Sequence, residues 1–236
     1  MRYSWKVDDF DSEIFGFKVA KIESIESKDS IDSLVKELID NGIEYATYRI
    51  ASNNISLIQS LQEFNFVVVD GIISLELDMT TAVEEPAIGE IREVRSDDLE
   101  KLKSLTRGLY LLSRIYMDPA VQVHKADNFF MKWIENSING TMADSVLVWE
   151  EKGKILGYIT LQKKGQVPLV GVSPEARGKG IAKKLLKESF RKFKKWKVEK
   201  VIIETQISNI PALRVDLDCG FKPINSFLTL RWLNND

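Results

Sequence analysis

One stretch constrains this chain most: Leu169-Val-Gly-Val-Ser-Pro-Glu-Ala-Arg-Gly-Lys-Gly-Ile-Ala-Lys-Lys-Leu-Leu186. It predicts a short apolar strand, a turn, and a glycine-rich loop that opens a helix. Arg177-Gly178-Lys179-Gly180-Ile181-Ala182 sets two glycines where backbone comes close to a ligand, since glycine has no side chain in the way. Loop amides feeding a helix N-terminus favour negative charge, through unpaired N–H groups and the helix dipole. Ile181, Ala182, Leu185, Leu186, Phe190 and Phe193 follow at helical spacing. The physics predicts a phosphate-bearing ligand at residues 177–182.

Two familiar phosphate loops fail here. A Walker loop needs Gly-Lys-Ser/Thr, and Gly180 is followed by Ile-Ala. A dinucleotide fingerprint needs a third glycine where Lys183 stands. What fits is Arg/Gln-x-x-Gly-x-Gly/Ala, with Val172-Ser-Pro174 before it and Ala182-Lys-Lys-Leu-Leu186 after it. That combination resembles the acyl-CoA pyrophosphate loop of the GCN5-related N-acetyltransferases (GNAT). The resemblance implies a mixed α/β acyltransferase fold with acetyl-CoA as co-substrate. It places CoA contacts at Val170, Gly171, Val172, Arg177, Gly178, Lys179, Gly180, Ile181 and Ala182.

Composition bounds the rest. At 236 residues, 44% hydrophobic and 29% charged, the chain can bury one large core or two modest ones. Lys+Arg 33 against Asp+Glu 35 gives −2, so no global field draws it to nucleic acid or membrane. No apolar run approaches the roughly 20 residues that span a bilayer, and the first residues carry no signal-peptide core. A single Cys219 excludes an internal disulfide and makes the cytoplasm the expected home. With only His124 beside it in the histidine and cysteine inventory, no metal site is expected. Cys219 reads as core filler. The eleven basic residues from Arg177 to Lys200 read first as a solvated helix face, with Arg177, Lys179 and Lys183 turned to the CoA phosphates.

In chain order, residues 14–23 read as a strand. A helix capped by Ser30 or Asp32 ends at Asn41-Gly42, and Ile43–Ile50 is a strand. Asn54 opens a second helix, and Phe66–Met79 returns as strands with Asp70-Gly71 a hairpin turn. Residues 80–89, with Glu84-Glu-Pro86 and Gly89, read as a linker. The second half predicts strand Ile91–Val94, a helix after Ser96 or Asp97, an irregular 111–124, and helix Phe129–Ile138. It continues with a hairpin around Glu151-Lys-Gly-Lys154, the central strand and loop helix, strand Val201–Ile207, helix Ile210–Cys219 and strands from Phe221. That order is the acetyltransferase fold over residues 90–236.

An internal repeat is expected as well. Ile43–Leu77 aligns on Lys200–Trp232 with one gap, bringing Asn54-Ile55 onto Asn209-Ile210 and Phe66 onto Phe221. Residues 1–79 then form a partial GNAT-like half-domain without the glycine-rich loop.

Asp11-Ser-Glu-Ile-Phe-Gly-Phe-Lys-Val-Ala20 is similar to the opening of the TDP-fucosamine (TDP-4-amino-4,6-dideoxygalactose) N-acetyltransferases. Ser113-Arg114, Trp133-Ile-Glu-Asn136, Gly140-Thr141 and Thr205-Gln206 before Asn209 match as well. This resemblance implies acetyl transfer to the amine of a nucleotide-linked deoxyamino sugar, and a homodimer. It implies that Asn209 helps hold the pantetheine end and that a tyrosine seven residues on supplies a proton. Here that position is Asp216. Three readings compete: Asp216 is a buried replacement acid, or a surface residue with Tyr158 acting instead, or the chain binds acyl-CoA without efficient turnover. Arg114 is a candidate clamp for the acceptor diphosphate, and His124 and Glu204 are candidate bases in the acceptor cleft. Trp133 with Phe129 and Phe130 reads as core. Another small amine or a protein N-terminus stays open as the acceptor.

Overall fold

The computed structural model describes residues 3–83 and 90–234; Glu84–Gly89 of the expected linker lie outside the described residues. The elements of the first part are β1 (Tyr3–Val7), α1 (Asp9–Phe15), β2 (Val19–Ile25), α2 (Ile31–Asp40), β3 (Tyr45–Ala51), α3 (Ile55–Glu63) and β4 (Val67–Asp78). Then follow β5 (Ile91–Glu93), α4 (Leu99–Thr106), α5 (Arg114–Met117), α6 (Val123–Ile138), β6 (Ser145–Glu151), β7 (Lys154–Leu161), β8 (Gln166–Val167) and β9 (Val170–Val172). The chain closes with α7 (Ile181–Lys195), β10 (Lys200–Gln206), α8 (Ile210–Asp218) and β11 (Lys222–Leu233).

Three stretches depart from their expected form. Residues 111–124, expected to be irregular, hold α5 and the start of α6, which begins at Val123 and not at Phe129. The other two depart for local reasons. Residues 14 and 15 belong to a short helix, not a strand. The Asp8 carboxylate accepts the Asp11 N–H at 3.0 Å to cap α1. Gly16, at φ +71°, ends it in the left-handed region. Asp70-Gly71 makes no turn: Gly71 keeps a negative φ, and β4 runs through it as one strand of 12 residues.

The chain folds into two compact units, and neither is a continuous segment. The first runs to Ile72 and adds Ser113–Lys125 and the chain from Asn225; the second holds Ile73–Leu112 and Ala126–Ile224. In the first, the strand order is β1-β2-β3-β11. β2 runs parallel to β3 and antiparallel to β1, and β11 lies antiparallel on β3. Its core joins Leu34 and Leu38 of α2, Leu61 of α3, Ile43, Phe66 and Trp232.

In the second unit, β5-β6-β7-β9 form an antiparallel sheet, and β4, β10 and β8 run side by side. Leu185, Leu186, Phe190 and Phe193 of α7 are all buried, as their spacing requires. They pack with Leu147, Ile159, Val201 and Phe221. Cys219 sits in this core, its thiol pushed up by burial to about 11, so it is filler and not a nucleophile.

The segments β3-α3-β4 and β10-α8-β11 have the same lengths: seven residues of strand, nine of helix and twelve of strand. Asn54 and Asn209 cap the two helices with nearly equal backbone angles, φ −84°, ψ 61° and φ −86°, ψ 62°. No gap separates the two runs.

Candidate active site

Pro168 decides the shape of the site. Before it, β8 pairs in parallel with β10, Gln166 on Ile202 and Val167 on Ile203. Proline has no N–H for the ladder, and beyond it β9 pairs with β7 alone among the described residues. The strand therefore leaves one neighbour and keeps the other. The Leu169 carbonyl accepts from Thr160 and the Ser173 N–H donates to Leu156. By strand alternation Gly171 also faces β7, while Val170 and Val172 turn their N–H and C=O groups to the free edge. Of the three residues nominated on this strand, Gly171 thus gives no amide to a ligand.

The free edge leads into the glycine loop. After the short turn at Pro174–Ala176 comes Gly178 at φ +79° and Gly180 at φ +73°. Other residues rarely adopt that hand. A Cβ built on either glycine meets nothing within 4 Å, so the concavity is open. Gly180 caps α7 without any side-chain bond, and the first turn holds no acidic residue. Its leading amides are available to an anion, with Arg177 and Lys179 exposed beside them. The cradle fits the pyrophosphate of an acyl-CoA.

On the other side of β9 lies a hydroxyl cluster. Tyr158 of β7 is fully buried and accepts hydrogen bonds from Thr106 Oγ1 at 2.9 Å and from the Tyr110 hydroxyl at 2.7 Å. Burial pushes the Tyr158 phenol up to about 12, and burial together with Tyr158 raises Tyr110. Both stay protonated at neutral pH. Gly171 lacks a side chain because the Tyr158 ring is there: a Cβ would fall 2.8 Å from Tyr158 Cε1 and 2.6 Å from Leu109 Cδ2. Behind the cluster Tyr110 stacks on Phe130 at 4.6 Å, and Phe130 lies parallel to Trp133 at 6.4 Å. Phe129 and Phe130 are core, as expected. Thr106 and Tyr110 were not legible as site residues, since the contacts that define them come from β7.

The remaining candidates scatter. Asp216 is 3% exposed and is the buried residue of α8, which removes the surface reading for it. Burial raises its carboxyl to about 7 and leaves Oδ2 without a partner. Asn209 caps α8 by accepting from Ala212 at 3.3 Å, so its side-chain oxygen is engaged. Glu204 is exposed on β10. In the first unit, Arg114 donates through Nη2 to the buried Asp11 at 2.9 Å, while its Nη1 is buried without a hydrogen-bond partner. His124 is exposed on the first turn of α6. Among the described residues no three of His, Cys, Asp and Glu gather as for a metal, and no helix is long and apolar enough to cross a membrane.

Residues 109–221 match the acetyltransferase (GNAT) family. This stretch carries the GNAT family's signature. Fold neighbours agree. A GCN5-related N-acetyltransferase from Sphaerobacter thermophilus superposes with a TM-score of 0.68 at 15% identity, over 98% of this chain and 76% of that one. A tandem GNAT protein from the clavulanic acid biosynthesis pathway superposes at 0.61 with 11% identity, over 94% and 77%. By sequence, the chain is 26% identical over 162 residues to the spore coat polysaccharide biosynthesis protein SpsD of Bacillus subtilis, covering 67% of this chain and 56% of that protein. It is 26% identical over 116 residues to the dTDP-fucosamine acetyltransferase of Escherichia coli, covering 49% and 50%. The chain thus spans about half the length of these two relatives.

Proposed function

We propose that the chain is an N-acetyltransferase that moves an acetyl group from acetyl-CoA to the primary amine of a nucleotide-linked 4-amino-4,6-dideoxy sugar. One observation carries the CoA half: the strand edge freed at Pro168 runs into an open glycine cradle at an uncapped helix. The acceptor class is supported by the names of the two relatives, a polysaccharide biosynthesis protein and a dTDP-fucosamine acetyltransferase.

When bound, acetyl-CoA supplies the acyl group as a thioester. The amides of Gly178 to Ala182 hold its pyrophosphate, with Arg177 and Lys179 adding charge. The outward N–H groups of Val170 and Val172 hold the pantetheine arm and donate to the carbonyl oxygen as charge develops there. Tyr158 accepts from two hydroxyls, so its own hydrogen is left for a third group, and it donates this hydrogen to the departing thiolate. Glu204 is the candidate to take the proton of the acceptor amine. Asp216 favours a second reading of the acid, because burial keeps part of it protonated near neutral pH.

The N-terminal segment, residues 1–79, is on this reading a partial copy that binds no CoA. Where β9 has one neighbour, β2 has two, and Asp29 and Asp32 stand around the start of α2 in place of glycines. Acid at a helix N-terminus repels phosphate.

Release of free CoA from acetyl-CoA, followed with and without TDP-4-amino-4,6-dideoxygalactose, tests the reading. Sugar-dependent release is expected. Release with simple amines or peptide N-termini alone would move the acceptor to another class.

A further inference from the structure

A second basic concavity lies in the GNAT unit, apart from the glycine cradle. It is a cavity of about 470 Å³ between the end of α4, the β6–β7 turn and residues 173–175, lined among others by Lys101, Arg107, Lys154 and Glu175. Among the described residues the Arg107 guanidinium meets only the Met131 sulfur, at 3.7 Å. A thioether is a weak acceptor, so the five-donor fork is almost unspent. Lys101 stands 3.8 Å from Asp98, whose carboxylate is already held by Arg92 at 2.6 Å. Lys154 pairs with Glu175 at 2.8 Å. Three cations against one paired carboxylate leave an excess of about two positive charges, which suits a dianion.

The face of the sheet separates this cavity from the cradle. A Cβ on Gly157 would meet Ile181 and Leu185 of α7, whereas the next residue, Tyr158, reaches Thr106 of α4. Hence α4 and α7 cover opposite faces of β7, and the cavity lies on the Tyr158 face. Arg107 directly follows Thr106. Ile155, which lines the cavity, and Tyr158 stand three residues apart on the same strand.

We infer that this cavity is the subsite for the diphosphate of a nucleotide-linked acceptor, with Arg107 as its principal ligand and Lys101 and Lys154 as supporting charges. The inference rests on the N-acetyltransferase reading above and specifies which residues select the acceptor. Arg107 takes the part expected of Arg114, whose Nη2 is held by Asp11.

Calorimetric titration with thymidine 5′-diphosphate, uridine 5′-diphosphate and coenzyme A tests it on the whole chain and on Arg107→Ala and Arg107→Lys. Arg107 is exposed, so both variants keep the fold, and an unchanged melting temperature confirms that. Both diphosphates bind the unaltered chain on this account. Arg107→Ala weakens them at least about tenfold and leaves coenzyme A within about twofold, and Arg107→Lys restores part of the loss because it keeps charge but not the fork. Diphosphates that fail to bind, or that bind Arg107→Ala unchanged, overturn the subsite. A loss confined to coenzyme A would assign the cavity to the donor's phosphates and also overturn it. Failure of the unaltered chain to bind coenzyme A would instead sink the underlying transferase reading.

Discussion

Tyr110 donates its hydroxyl hydrogen to the Tyr158 oxygen at 2.7 Å, and the Tyr158 ring rests against the glycine of the splayed strand, Gly171. This pair fixes a proton donor beside the free edge of β9, and the mechanism proposed above depends on it.

Tyr158→Phe keeps the ring and removes the hydroxyl. kcat is expected to fall about 10- to 100-fold with KM for acetyl-CoA nearly unchanged, and Asp216→Asn to stay within about threefold of the native rate. CoA-release kinetics on both variants decide the matter. The reverse pattern would make Asp216 the acid.

Asp216 also writes a pH signature into stability. Burial raises its carboxyl to about 7 from an ordinary 3.8. Below about pH 4 it is protonated in both states and has no effect. Between about pH 4 and 7 the unfolded chain sheds a proton that the folded chain keeps, so stability falls as pH rises. Above pH 7 the cost is full, of order 4 kcal/mol. Urea unfolding at about pH 5 and pH 8 should show Asp216→Asn losing this slope.

Gly171→Ala places a Cβ against Leu109 and Tyr158. A loss of about 1–3 kcal/mol is expected, together with a drop in kcat because Tyr158 must move. A Gly171→Ala variant that is destabilised yet keeps full kcat would contradict the role given to Tyr158.

Asn54→Ala and Asn209→Ala remove matching helix caps, so each should cost about 1 kcal/mol in thermal unfolding. Only Asn209→Ala should also weaken acetyl-CoA binding. Equal, unaltered binding in both would confine Asn209 to capping.

What the sequence disclosed was local. The glycine pair at 178 and 180 and the apolar spacing of α7 lie within one short window, and both appear in the structure as read. What escaped depends on distant partners. α1 spans seven residues, too few for a helical period to emerge, and its Asp8 and Gly16 caps were the only cue. β1 was missed because it is held by pairing with β2. Asp70-Gly71 reads as a turn in isolation, yet it lies inside a strand whose ladder partners come from elsewhere in the chain. Pro168 stands next to an apolar strand and marks where a ladder must end, but which neighbour the strand loses there depends on β10, far along the chain. Tyr110, Thr106 and Arg107 gain their meaning only from β7 and the turn before it.

Calorimetric titration of acetyl-CoA into the native chain and into Gly180→Glu tests the central claim most directly. The account predicts native binding on the order of micromolar, abolished when bulk and negative charge enter the cradle while melting still reports a folded protein. A native chain that does not bind acetyl-CoA, or a Gly180→Glu variant that binds it equally well, would contradict it.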